Sequence, residues 1–225
     1  MRITIALDGP VGAGKSSIAD LVAKRLDILH LDTGAMYRAI GLYALRHGGA
    51  EDEDRVVGML GDIQVRVTYR DGAQQTWLGD EDVTGLIRTQ EVSMAASCVS
   101  RYRKVREKMV ALQRELSRET SRIVDGRDIG TKVLVDAPVK SFLTAAAEER
   151  ARRRYRELIE KGMSADYEQV LLELKQRDEQ DSTREVDPLR CADDAIVVDT
   201  THLDIQQTVD RILELTEAVC GQKNE

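Results

Sequence analysis

The chain has 225 residues, 42% of them hydrophobic and 32% charged, and a formal net charge of −7. That length supports one α/β domain, or a domain with one sizeable insertion, and excludes a disordered tail or a mini-protein. The acidic balance and an aromatic content of 4% argue against the broad basic surface and stacking platform that nucleic-acid binding requires.

In chain order, Ile3-Thr4-Ile5-Ala6-Leu7 is a β-rich run that breaks at Asp8-Gly9-Pro10, and Ser16 to Leu26 has helical spacing through Ile18, Leu21, Val22 and Leu26. The same pairing recurs as a strand over Ile28 to Leu31 and a helix from about Ala35 to Arg46, which stops at Gly48-Gly49. A short helix is expected over Glu51 to Leu60. Apolar and polar residues then alternate from Ile63 to Tyr69, and after a turn at Asp71-Gly72 the segment Gln74 to Leu78 returns, which predicts a hairpin inserted in a βαβ chain.

Residues 89–118 are helical in pattern, and Ile123-Val124-Asp125 reads as a buried strand ending in a carboxylate before Gly126. Further strands are predicted at Ser141 to Leu143 and, buried, at Ile196-Val197-Val198. Helices are predicted over Glu148 to Lys161, Tyr167 to Gln180 and Ile205 to Val219. Strands alternating with helices imply a parallel sheet covered by helices. Cys98, Cys191 and Cys220 are odd in number and form no C-x-x-C pair, so they are expected to be buried thiols rather than a disulfide framework or a zinc site. With no long apolar run and no signal-peptide pattern, the protein is expected in the cytoplasm, away from membranes.

Gly9-Pro10-Val11-Gly12-Ala13-Gly14-Lys15-Ser16 satisfies G-x-x-x-x-G-K-[ST] between a predicted strand and a predicted helix, the context that this motif needs. Its backbone N–H groups can form an anion-sized nest at the positive end of a helix. Lys15 would meet the β- and γ-phosphates of ATP, and the Ser16 hydroxyl, followed by Ser17, would help to hold Mg²⁺. Asn224 is the only asparagine, so an N-K-x-D guanine-reading motif cannot exist and a GTPase is disfavoured.

Over nearly its whole length the chain resembles the bacterial cytidylate (CMP/dCMP) kinases of the P-loop nucleoside monophosphate kinase group. The resemblance rests on ALDGPVGAGKSS, LDTGAMYRAIG from Leu31, TGLIRTQEVSMAAS from Thr84, IVDGRDIGT from Ile123 and RDEQDSTR from Arg177. It implies an α/β fold of the P-loop NTPase type: one domain (1–225) with a parallel sheet of about five strands flanked by helices. A monophosphate-binding insertion at about 62–97 would contain the hairpin, leaving a core of 1–61 and 98–225, and a helical lid would lie at about 150–165.

The resemblance also implies roles. Asp128 and Ser97 match positions facing the N4 amine of cytosine, and Arg106 matches the arginine facing N3 and O2. Arg177 and Asp181 match a pair that holds the ribose hydroxyls. Arg38, Arg127 and Arg184 match holders of the CMP phosphate, with Tyr37 and Thr33 beside Asp32. The lid residues Arg153 and Arg154 would close over the transferring phosphoryl group or the adenine. Asp32 is open to two roles, orienting water around Mg²⁺ or binding a phosphate-anchoring arginine. His30, His47 and His202 are expected to be structural or exposed. Relatives often carry proline where this chain has Arg103, so the approach to Arg106 is expected to be more helical here.

The implied activity is Mg²⁺-dependent transfer of the γ-phosphoryl group of ATP to CMP or dCMP by a monomer that acts on small nucleotides. Left open beside it are a kinase for another small acceptor, such as UMP, and a non-catalytic ATP-binding switch.

Overall fold

The structure, a computed structural model, describes residues 2–221, so Asn224 lies outside the described residues. The chain divides into two compact units, one formed by residues 1–28 and 121–225 and the other by residues 29–120.

In the first unit β1 (Thr4–Asp8), β6 (Arg122–Asp125), β7 (Val139–Thr144) and β8 (Ile196–Asp199) run in the order β6-β1-β7-β8, every neighbouring pair parallel. Because every pair is parallel, paired strands are joined by crossovers rather than by hairpins. Both faces of β1 are buried, which explains its continuous apolar run. The helices α1 (Lys15–Leu26) and α8 (Ile205–Gly221) cover the sheet, and Ile5, Leu7, Ile18, Val22, Ile123, Leu143, Val209 and Ile212 form the core. Each such aliphatic side chain contributes about 1.5–3 kcal/mol by leaving water. A smaller apolar cluster joins α6 (Ala147–Glu160) to α7 (Tyr167–Thr183) through Ala151, Val170 and Leu174.

The second unit begins with β2 (Leu29–Asp32) and α2 (Thr33–Arg46), followed by the short α3 (Glu53–Gly58). Next come β3 (Val65–Arg70), β4 (Ala73–Leu78) and a two-residue β5 (Glu81–Asp82), an antiparallel three-stranded sheet. The hairpin turn is the predicted Asp71-Gly72, where both residues take positive φ, at 52° and 78°. That is the signature of a tight turn matched to strand twist. A 3₁₀ turn at Leu86–Arg88 leads into α4 (Gln90–Val99) and α5 (Arg103–Leu116). α2 packs on α4 closely at Gly41, where a Cβ would lie 2.7 Å from the backbone nitrogen of Ala96 and 3.2 Å from Ala95 Cβ.

Three expectations are corrected. The helical stretch 89–118 is two helices, parted at Ser100–Tyr102. β8 is an edge strand on which only Val198 is buried, Ile196 and Val197 being 43% and 56% exposed, because it is the last strand of the sheet and has a neighbour on one side only. The three cysteines are free but partly exposed, Cys98 and Cys220 lying near the ends of helices and Cys191 in the loop before β8. α5 begins at Arg103 itself.

Candidate active site

In the first unit β1 delivers the chain to the glycine loop with Asp8 as its last residue. Gly9 has φ +147°, and a Cβ there would lie 2.0 Å from the carbonyl oxygen of Leu143, so only glycine lets the loop leave the sheet at this point. The loop runs into α1, whose first turn holds no acidic residue and has no side-chain cap. The positive end of the helix dipole and the amide donors of that turn thus face the loop with no acidic side chain or cap from α1 itself.

Lys15 is buried, with its Nζ donating to the carbonyl of Pro10 at 2.7 Å. Burial, and then the nearby Arg127, lower the ammonium to about 7, against the pull of Asp125, Asp181 and Asp8. A phosphate group at the loop would reverse that penalty by supplying the missing negative charge. The Ser16 hydroxyl donates to Asp125 Oδ2 at 2.9 Å. Sequence reasoning did not assign Asp125 a role, although its position at the end of a buried strand before glycine marked it. Mg²⁺ takes oxygen ligands and commonly keeps its waters and substrate phosphates, so a hydroxyl and a carboxylate side by side suit it. Among the described residues there is no cluster of three or more His, Cys, Asp or Glu able to cage a metal by themselves.

After β6, Arg127 Nε donates to Asp181 Oδ2 at 2.8 Å and Arg184 Nη2 to Asp128 Oδ1 at 3.4 Å, with Arg184 Nη1 3.8 Å from Asp181 Oδ1. Burial opposes the charges of Asp181 and Arg127, but pairing prevails: Arg127 and its neighbours hold the Asp181 carboxyl below the usual range, and Asp181 raises the Arg127 guanidinium. Arg177, one turn before Asp181 on α7, adds its charge to the same carboxylate. Four of the predicted residues, Arg127, Asp128, Asp181 and Arg184, thus form one network of alternating charges.

Asp8, which sequence reasoning passed over, accepts from the N–H groups of Ile129 and Gly130 at 2.8 and 2.7 Å. It fixes the π-helical turn Ile129–Val133 that follows Asp128. Burial raises Asp8 to about 6. Of the lid arginines, Arg153 donates to the hydroxyl and carbonyl of Thr200 and to Glu149, and Arg154 donates to Glu157. Their bonds are made within α6 and to the loop after β8, not to the charge network.

The second unit carries a separate cluster. Asp32 caps α2 through Oδ1, which accepts from Ala35 N at 2.8 Å, while Oδ2 accepts from Arg38 Nη2 at 2.8 Å and Arg88 Nη1 at 3.1 Å. Burial would raise this carboxyl, but the two arginines, His30 and the Ala35 N–H bring it down to about 2. Asp32 thus pairs with two arginines, Arg38 and Arg88. Arg88 was missed because a lone arginine in a turn carries no signal of its own. The Gln74 side chain from β4 bonds both the N–H and the C=O of Asp32, fastening the hairpin to the start of α2. Thr33 is buried at the next position. Arg106 is 1% exposed, lies 5.7 Å over the Tyr37 ring and donates to Ser100 O at 3.2 Å. A guanidinium buried so fully is costly unless it is paired and hydrogen-bonded. Ser97 lies on α4, and its carbonyl accepts from the Ser100 hydroxyl. His47 stacks on Tyr43, His202 is exposed and His30 is buried near Asp32.

The family description "Cytidylate kinase" matches residues 5–218. The chain belongs to the cytidylate kinase family. It is 51% identical to the cytidylate kinase of Caldicellulosiruptor bescii over 95% of both chains. It is 46% identical to that of Bacillus subtilis over 96% of this chain and 97% of the relative. A crystal structure of an uncharacterized protein from Eubacterium ventriosum shares the fold, with a TM-score of 0.53 at 13% identity, covering 96% of this chain and 99% of that one. As a member of this family the protein is a kinase, and the glycine loop, the charge network and the Asp32 cluster are where its chemistry is to be sought.

Proposed function

We propose that the protein transfers the γ-phosphoryl group of ATP to CMP, and to dCMP, giving the nucleoside diphosphate and ADP. The observation that carries this reading is the network in the first unit: a phosphate-binding loop with Lys15 and Ser16 beside Arg127, Asp128, Asp181 and Arg184. Residues Gly9 to Ser17 grip the donor triphosphate, with Lys15 neutralising charge as it moves toward the leaving oxygen. Ser16 and Asp125 would hold Mg²⁺, which supplies further neutralisation of the donor phosphates. Arg38, Arg88, Arg127 and Arg184 orient the acceptor phosphate, since planar guanidinium forks suit two-point contact with phosphate oxygens.

Transfer between two phosphates asks for positioning and charge neutralisation rather than a strong base, and this matches a site rich in arginine. Asp128 and Ser97 accept the N4 amine of cytosine, and Arg106 donates to N3 and O2. Uracil would set a carbonyl against the Asp128 carboxylate. Asp181 and Arg177 take the ribose hydroxyls, and Arg153 and Arg154 act from the lid as it excludes water.

Acceptor competition tests the reading: with ATP and Mg²⁺ held constant, CMP is expected to be phosphorylated well ahead of UMP, AMP and shikimate. Equal rates for CMP and UMP would remove the cytosine assignment, and no ADP formation with any acceptor would favour an ATP-binding switch.

A further inference from the structure

We infer that Arg150, at the root of the α6 segment, is a positioning residue of the donor loop, locking the peptide between Val11 and Gly12. This rests on the reading of the loop as the donor-phosphate grip.

Arg150 is 5% exposed, and all three of its donor positions are used. Nε donates to Ala145 O at 2.9 Å, Nη1 to Val11 O at 2.9 Å and Nη2 to Asp178 Oδ2 at 2.6 Å. One guanidinium thus ties the loop to the chain entering α6 and to α7. The Val11 side chain packs against the Ala151, Val170 and Leu174 cluster of the same two helices, so both its side chain and its carbonyl are held from that side.

In a trans peptide the C=O and the following N–H point in opposite directions. Fixing the Val11 carbonyl on Arg150 therefore turns the Gly12 N–H the other way, away from α6. Gly12 has φ +75°, and a Cβ there would come within 3.3 Å of Arg150 Cβ. Glycine takes either sign of φ with little penalty, so this peptide can flip when its carbonyl is released. A flip would replace an N–H with a carbonyl dipole on the side where phosphate oxygens bind. Asp178 holds the guanidinium in place from α7, one residue after Arg177 and three before Asp181. Arg150 itself touches no substrate in this account.

The test is a steady-state comparison of Arg150→Met and Asp178→Asn with the wild-type enzyme, varying ATP and CMP separately, together with equilibrium titration by ATP. Loss of a charge-assisted bond to the loop predicts a KM and Kd for ATP raised roughly tenfold or more in Arg150→Met, with the KM for CMP within about threefold of wild type. Asp178→Asn is expected to shift the donor constants in the same direction by less. Arg150→Lys should restore only part of the loss, because a single ammonium cannot reach three acceptors.

Unchanged donor constants in Arg150→Met overturn the inference, as does an equal rise in both KM values, which marks a general loss of structure. Should Arg150→Met not fold, Asp178→Asn decides: donor constants equal to wild type overturn the proposal. If the wild-type enzyme itself fails to bind ATP, it is the reading of the loop that falls.

Discussion

The glycine loop and the Asp32 cluster both gather cations, by opposite means. At the loop, Lys15 is buried with a carbonyl as its bonded partner, and its ammonium is destabilised to about 7. At Asp32, one buried carboxylate holds Arg38 and Arg88 on a single oxygen, and the pairing is favourable enough to bring the acid to about 2. The first arrangement awaits its counter-charge from a ligand, whereas the second is neutralised in part from within. A site that must bind and release a highly charged donor gains from unmet charge. One that must aim guanidinium forks gains from an internal anchor, which lowers the entropy still to be lost.

The largest effect should come from breaking the first arrangement. Lys15→Met is expected to lower kcat about 10²–10³-fold with every acceptor, the scale for removing one group that stabilises developing charge. Yet the variant should melt at the same temperature as wild type or higher, since it removes a buried ammonium whose desolvation outweighs the pull of the nearby carboxylates. The folded ammonium titrates near 7 and the unfolded one at its ordinary 10.5. Between these values the unfolded chain holds more protons, so the Lys15 contribution makes stability rise with pH across that window. Lys15→Met should remove that slope, as chemical denaturation at pH 7 and pH 9.5 can show.

Next in size is Asp128→Ala, which should lower kcat/KM for CMP roughly 10²-fold, as expected when a buried hydrogen-bond partner of the base is deleted. ATP affinity should stay within about twofold, since the loop is untouched. A wild-type kcat/KM for CMP would show that the base is read elsewhere.

Asp32→Asn sharpens the comparison from the other side. Asparagine keeps the α2 cap but discards the charge that holds two arginines. The folded carboxyl is depressed from its ordinary 3.8 to about 2. It therefore contributes stability that is present above pH 3.8 and is lost as pH falls toward 2, about 2 kcal/mol by linkage. The substitution should remove that amount at pH 7 and flatten the acid limb, readable in urea unfolding at pH 7 and pH 3. The smallest effect is expected from Arg88→Ala, a side chain 56% exposed. It should raise the KM for CMP about threefold to tenfold while leaving the KM for ATP alone, because Arg38 keeps its anchor.

Much of this was legible in the chain because the information is local. The run Gly9 to Ser16 is contiguous, and its meaning follows from the strand before it and the helix after it. The hairpin at Asp71-Gly72 was legible for the same reason, as alternation on both sides of a turn dipeptide. By contrast, nothing near Asp125 says that its partner is Ser16, 109 residues away. Nothing near Arg88 points to Asp32, 56 residues back. The exposure of β8 escaped the reading because three apolar residues look alike on a central strand and at an edge.

The linear order of residues was enough to assign the phosphate-gripping loop, most helices and strands, and the kinship that names the chemistry, because each is written in short-range spacing or in motifs that stay in order. Folding alone settled which charges meet. Arg150 reaches Val11 across 139 positions, and Arg127 reaches Asp181 across 54. Such pairings depend on how crossover helices return to a sheet, where burial makes an unpaired charge costly and so selects its partner, and no local pattern records that choice.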